Sequence, residues 1–101
     1  MSIMRNNSEL LSKDVIIANT LGLHARPAAE IAKLAKKACK GVWISNDSQT
    51  VDASSIIDIL TMGCGPGSRV TIKIDDAGDM AVLDAIVKLV ETGFKEQTNN
   101  A

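Results

Sequence analysis

Apolar residues change their spacing several times along this chain, and each change marks an element. Val15-Ile16-Ile17-Ala18 is a short β-branched run ending at Asn19-Thr20-Leu21-Gly22, which predicts a strand followed by a connection. Beyond it, Ala28, Ile31, Ala32, Leu34, Ala35 and Ala38 recur at helical spacing, with Glu30, Lys33, Lys36 and Lys37 mostly outside the stripe. That pattern predicts an amphipathic helix with one packed face. Pro27 has a fixed φ and no N–H to donate, so it belongs to the first turn and puts His24 near the N-cap. Cys39-Lys40-Gly41 reads as the helix exit.

Val42-Trp43-Ile44-Ser45 and Gln49-Thr50-Val51-Asp52 flank the polar Asn46-Asp47-Ser48, a hairpin pattern. Ser55 to Met62 predicts a short helix closed by Gly63, with Gly65-Pro66-Gly67 breaking any continuation. Arg69-Val70-Thr71-Ile72-Lys73-Ile74 alternates as a half-buried strand does. Asp75 to Asp79 is a turn with a helix-starting acid, and Met80, Leu83, Ile86, Val87, Val90 and Phe94 form the apolar face of a last helix that frays before Gln97. The order β-α-β-β-α-β-α implies an α+β fold, an open-faced β-sandwich. Its four-stranded, largely antiparallel sheet is covered on one face by three helices, because each helix has one stripe to bury. Residues 1–12 read as an N-terminal extension, 13–96 as the domain and 97–101 as a tail.

Bulk properties narrow the function. A chain of 101 residues supports one domain, and a net charge of −1 leaves no basic footprint for nucleic acid. No apolar run reaches the ~20 residues of a membrane span, and Met1 to Asn7 lacks the apolar core of a signal peptide, so a soluble cytoplasmic monomer without membrane insertion is expected. Cys39 and Cys64 are far apart and have no histidine nearby, which points to buried or incidental thiols rather than a redox pair or a zinc site. No metal or other cofactor is expected.

The chemistry concentrates in Gly22-Leu23-His24-Ala25-Arg26-Pro27-Ala28, where the chain's only histidine meets a helix N-terminus. The unpaired N–H groups of the first turn and the positive end of the helix dipole favour an anion there. Arg26 adds a permanent cation whose fork matches phosphate oxygens. An isolated histidine is more often an ordinary capping residue, but Gly22, Arg26 and Pro27 together specify a phosphate-accepting geometry locally. For phosphoryl transfer His24 has to be a nucleophile, and the helix end and Arg26 both disfavour a positive charge on its ring. Once modified, the phosphate would be stabilised by the amides of Ala25 and Arg26 and by the Arg26 guanidinium.

This motif resembles that of the HPr phosphocarrier proteins of the bacterial phosphotransferase system, and it is complete from Gly22 to Ala28. The similarity continues through Thr50-Val51-Asp52-Ala53-Ser54-Ser55-Ile56-Ile57 to Thr61-Met62-Gly63, covering roughly Lys13 to Glu96. The resemblance implies the same open-faced architecture and a non-catalytic carrier. It implies that phosphate sits on Nδ1 of His24, arrives from the phosphohistidine of enzyme I and leaves to a sugar-specific IIA domain. It also favours Ser55 as a regulatory site for an ATP-dependent HPr kinase/phosphorylase. On residues alone Ser54 or Ser55 can equally be a helix cap, Ser55 with Asp58 approximating a capping box. Ile56, Ile57 and Leu60 are either core or, as in the family, a docking patch, ringed here by Arg26, Lys33 and Lys36.

Asp58, Ser54 and Thr20 depart from the residues common in the family, which bears on partner choice rather than on the acceptor. A second reading is a regulatory protein that binds its partners according to serine phosphorylation, with little role in sugar uptake. A third is a small-ligand module in which His24 merely caps a helix.

Overall fold

A computed structural model describes residues 11–95. Residues 1–10 of the expected extension and the tail 97–101 lie outside the described residues. Four strands, β1 (Ser12–Ile16), β2 (Val42–Ser45), β3 (Thr50–Asp52) and β4 (Arg69–Ile74), form one sheet in the order β1-β4-β2-β3. Every neighbouring pair is antiparallel. Three α-helices lie among the described residues: α1 (Ala25–Ala35), α2 (Ile56–Thr61) and α3 (Met80–Glu91). The expected open-faced α+β sandwich is the observed fold.

Register follows from which side chains need burying, because a slip of one residue would send a strand's whole apolar set to the other face. Val15 sits opposite Val70, Ile44 opposite Ile72 and Val42 opposite Ile74, and all six are buried under the helices. The alternate residues Asp14, Trp43, Ser45, Thr71 and Lys73 belong to the uncovered face, where Trp43 Nε1 donates to Asp75 at 3.1 Å. Lys13 alternates in phase with Val15, and at the sheet edge its ammonium reaches Asp84 of α3 at 2.8 Å. Above the sheet, α1 contributes Ala28, Ile31, Ala32 and Ala35 to the core, and α3 contributes Leu83, Ile86, Val87 and Val90.

Several boundaries differ from the sequence expectation. β1 runs from Ser12 to Ile16 rather than over 15–18, so the sheet begins one residue before the expected domain start, and Ile17 is buried just beyond the strand. α1 stops at Ala35, short of the Gly41 exit, in a tightened turn where Lys37 and Ala38 donate to the carbonyls three residues back. The cause lies in the tertiary structure. Asp79 begins α3 but does not cap it; its buried carboxylate accepts the amides of Cys39 and Lys40 at 2.9 and 2.8 Å and draws the chain out of α1. α3 likewise ends at Glu91, before Phe94. Gly93, Phe94 and Lys95 all take positive φ, and this left-handed turn places the Phe94 ring in the core. A non-glycine residue there costs roughly 1–2 kcal/mol; at Phe94 the burial of an aromatic side chain, about 1.5–3 kcal/mol, offsets its own share.

Candidate functional site

The connection from β1 to α1 is shaped by hydrogen bonds that converge on one peptide. The Gly22 N–H donates to the Asn19 carbonyl at 3.2 Å, while Asn19 Nδ2 donates to the Gly22 carbonyl at 2.6 Å and the His24 N–H donates to the same oxygen at 3.0 Å. Next to it, the Leu23 N–H donates to the carbonyl of Cys64 at 2.9 Å, joining this loop to the one that follows α2. Gly22 has φ +70°, and a Cβ there would stand 2.4 Å from the Cys64 carbonyl oxygen and 2.7 Å from Gly65 Cα. Glycine is required on both counts, conformation and space. Leu23 is buried beneath the loop, whereas Leu21 is 68% exposed at its tip.

His24 is the N-cap of α1, with an extended backbone (φ −86°, ψ −167°) and a carbonyl that accepts the Ala28 N–H at 3.0 Å. Its half-buried side chain makes no capping bond to the helix, so capping is not what occupies the ring. The amides of Ala25 and Arg26 stand in the first turn, where helix geometry offers no carbonyl one turn back, and Pro27 brings no N–H to compete. An anion beside His24 would meet those two amides and the helix dipole.

Arg26 is exposed but engaged: its Nη1 lies 2.7 Å from Glu30 Oε2, one turn along the same helix. An exposed pair of this spacing is worth about 0.3–0.5 kcal/mol, so Glu30 holds the guanidinium only weakly. The spacing of Arg26 and Glu30 was readable in the sequence, although the motif alone does not reveal it. Lys33 continues the Arg26–Glu30 stripe, while Lys36, at roughly 100° per residue, turns away from it. Both lysines are exposed, and at ~1.5 Å of rise per residue they lie more than two turns beyond His24, on the periphery of the site.

α2 packs against α1 and brings the second cluster close. Ser55 is its N-cap, with Oγ accepting the Asp58 N–H at 3.2 Å; its own N–H donates to the Asp52 carbonyl at 3.1 Å, so only half of a capping box forms. Ser54 does not cap. Its N–H and hydroxyl both donate to Asp52 Oδ1, at 2.8 and 2.7 Å, and these bonds hold the Asp52 carboxyl below its ordinary value. Ile59 is the buried residue of α2, whereas Ile56, Ile57 and Leu60 are 39%, 72% and 39% exposed, an apolar surface rather than core. Cys64 is buried, and burial pushes its thiol up; Cys39 is exposed and both thiols are free. Among the described residues no group of three or more His, Cys, Asp or Glu could hold a metal ion. No described helix is long and apolar enough to cross a membrane.

The fold is an open-faced sandwich with a half-buried histidine at a helix N-cap and an exposed arginine two residues on. Comparison with known proteins agrees. The family described as "PTS HPr component phosphorylation site" matches residues 11–92. Phosphocarrier protein HPr of Cupriavidus necator is 36% identical over 87 residues, 86% of this chain and 98% of the relative. Phosphocarrier protein NPr of Klebsiella oxytoca is 32% identical over 87 residues, covering 85% of this chain and 97% of its own. The crystal structure of HPr-C-His from Thermoanaerobacter tengcongensis superimposes with a TM-score of 0.79 at 32% identity, over 85% of this chain and 97% of that one. The chain belongs to the HPr family of the phosphotransferase system, phosphocarrier proteins that bear a phosphohistidine and are not catalytic enzymes.

Proposed function

We propose that this protein accepts a phosphoryl group on Nδ1 of His24 from the phosphohistidine of enzyme I and passes it to a IIA domain. The Nδ1 lone pair forms the new N–P bond as the donor's N–P bond breaks, and the electron pair of that bond stays on the donor imidazole. The amides of Ala25 and Arg26 and the Arg26 guanidinium, released from Glu30, then balance the added charge. One observation carries the reading: His24 is at the N-cap, but its ring is not spent on capping. Openness suits a carrier, since a deep enclosure would hold a group that has to be given away.

Ile56, Ile57 and Leu60 form the docking patch in this reading, with Lys33 and Lys36 steering partners that have acidic margins. Ser55 is the regulatory position, for an HPr kinase/phosphorylase using ATP. In its support, a phosphate there would sit at a helix N-terminus, which tolerates negative charge, after giving up its bond to the Asp58 N–H. The protein acts as a cytoplasmic monomer.

Incubation with enzyme I and labelled phosphoenolpyruvate tests the carrier. Acid-labile label that appears on the wild type and is absent from His24→Ala is the expected result; label that persists in His24→Ala overturns it. Acid-stable label that appears only with kinase and ATP, and is lost in Ser55→Ala, is the outcome for the regulatory site. Relatives named both HPr and NPr keep a second reading in view, a carrier whose partners regulate rather than move sugar. Transfer of label to a sugar-specific IIA domain separates the two.

A further inference from the structure

Asn19 is a polar side chain buried beneath the loop that leads into α1. It is 2% exposed, and its Oδ1 is buried without a hydrogen-bond partner among the described residues. A buried unsatisfied group of this kind costs about 1–3 kcal/mol. What the residue supplies is its other end: Nδ2 donates at 2.6 Å to the Gly22 carbonyl, the oxygen that also receives the His24 N–H at 3.0 Å. Two donors on one oxygen fix the plane of the Gly22–Leu23 peptide, and Leu23 is tied in turn to Cys64. The backbone of His24 follows directly, and its φ and ψ decide where the imidazole lies relative to the amides of Ala25 and Arg26.

We propose that Asn19 is a positioning residue for phosphoryl transfer: its buried amide clamps the Gly22 carbonyl and, through the shared His24 N–H, holds the imidazole over the first turn of α1. The inference rests on the reading of His24 as the acceptor. Asn19 is buried and its side-chain amide bonds to backbone, so it shapes the transition state without binding either partner. Attack needs the reacting atoms about 3–3.5 Å apart and aligned, and a misplacement of about 1 Å can lower a rate on the order of 100-fold.

The test uses the full chain as wild type, Asn19→Asp and Asn19→Ser. Aspartate keeps the size but turns an oxygen toward the Gly22 carbonyl; serine stays polar but is too short to reach it. Both folded variants are expected to take phosphate from phosphorylated enzyme I about 10- to 100-fold more slowly in kcat, with KM changed less than about three-fold and the ring and amide NMR signals of His24 shifted. Variants that melt earlier but transfer at the wild-type rate, with unshifted His24 signals, overturn the proposal and leave Asn19 a structural residue. If neither variant folds, hydrogen exchange of the wild-type Asn19 side-chain amide decides: strong protection supports the clamp, and exchange at the rate of a free amide rejects it. A wild-type protein that takes no acid-labile label on His24 removes the acceptor reading and this inference with it, a result distinct from a loss confined to the variants.

Discussion

Two residue pairs that look similar in sequence differ in burial or in hydrogen-bond partner, and their chemistry separates accordingly. Cys39 is exposed where the chain leaves α1, whereas Cys64 is buried with Asn46 Nδ2 3.8 Å from its sulfur, and desolvation raises its thiol. Thiolate is the reactive species. Native protein is therefore expected to take one equivalent of a thiol reagent, on Cys39, and the second only when unfolded; mass spectrometry of the labelled chain reads this directly. Ser54 and Ser55 divide in the same manner, Ser54 serving Asp52 and Ser55 serving α2. Because the Ser54 bonds lower the Asp52 carboxyl from 3.8, the unfolded chain binds that proton first as pH falls. The stabilisation is thus complete above about pH 4 and is lost as pH drops through the lowered native value. Ser54→Ala is expected to melt about 2–5 °C below wild type near pH 7, with the gap closing below pH 4 in melts taken across pH.

At the scale of elements, short helices depend on their ends. α2 has six residues and one fully buried side chain, so the bond from the Asp58 N–H to Ser55 Oγ is a large part of its local support. Removing an N-cap hydroxyl costs about 1 kcal/mol, and Ser55→Ala is expected to lower the melting temperature by about 4–8 °C, measured by circular dichroism, with the sheet unchanged. The helix starts and the end of α2 were legible because their signals are local: Pro27 in the first turn of α1, Ser55 before α2, Gly63 after it. The ends of α1 and α3 were not. Asp79 looks like a capping acid in sequence, yet its carboxylate goes to Cys39 and Lys40, about forty positions away along the chain. Phe94 continues the apolar period of α3, yet reaches the core through a left-handed turn.

For the whole molecule, the site exists because two loops touch. The loop before α1 and the loop after α2 meet where Leu23 bonds to Cys64 and where Gly22 leaves no room for a Cβ. Gly22→Ala forces a side chain into backbone atoms at a positive φ, and is expected to destabilise by more than about 2 kcal/mol. Its amide spectrum should move around both Leu23 and Cys64, and denaturant unfolding gives the energy. A change confined to the first loop would show that the loops are not coupled.

Some of this was settled by local order alone. Alternation in β4, the apolar period of α1 and α3, and the Gly22–Ala28 motif each depend on neighbours a few positions apart, so the α+β class, the His24 N-cap and the family resemblance could be read from one chain. Other features needed the folded chain. Exposure of Ile56, Ile57 and Leu60, burial of Asn19, the Ser54–Asp52 pair and the reach of Asp79 depend on where other elements come to rest. Periodicity tells a residue which face of its own helix it occupies, whereas only packing decides whether that face meets protein or water.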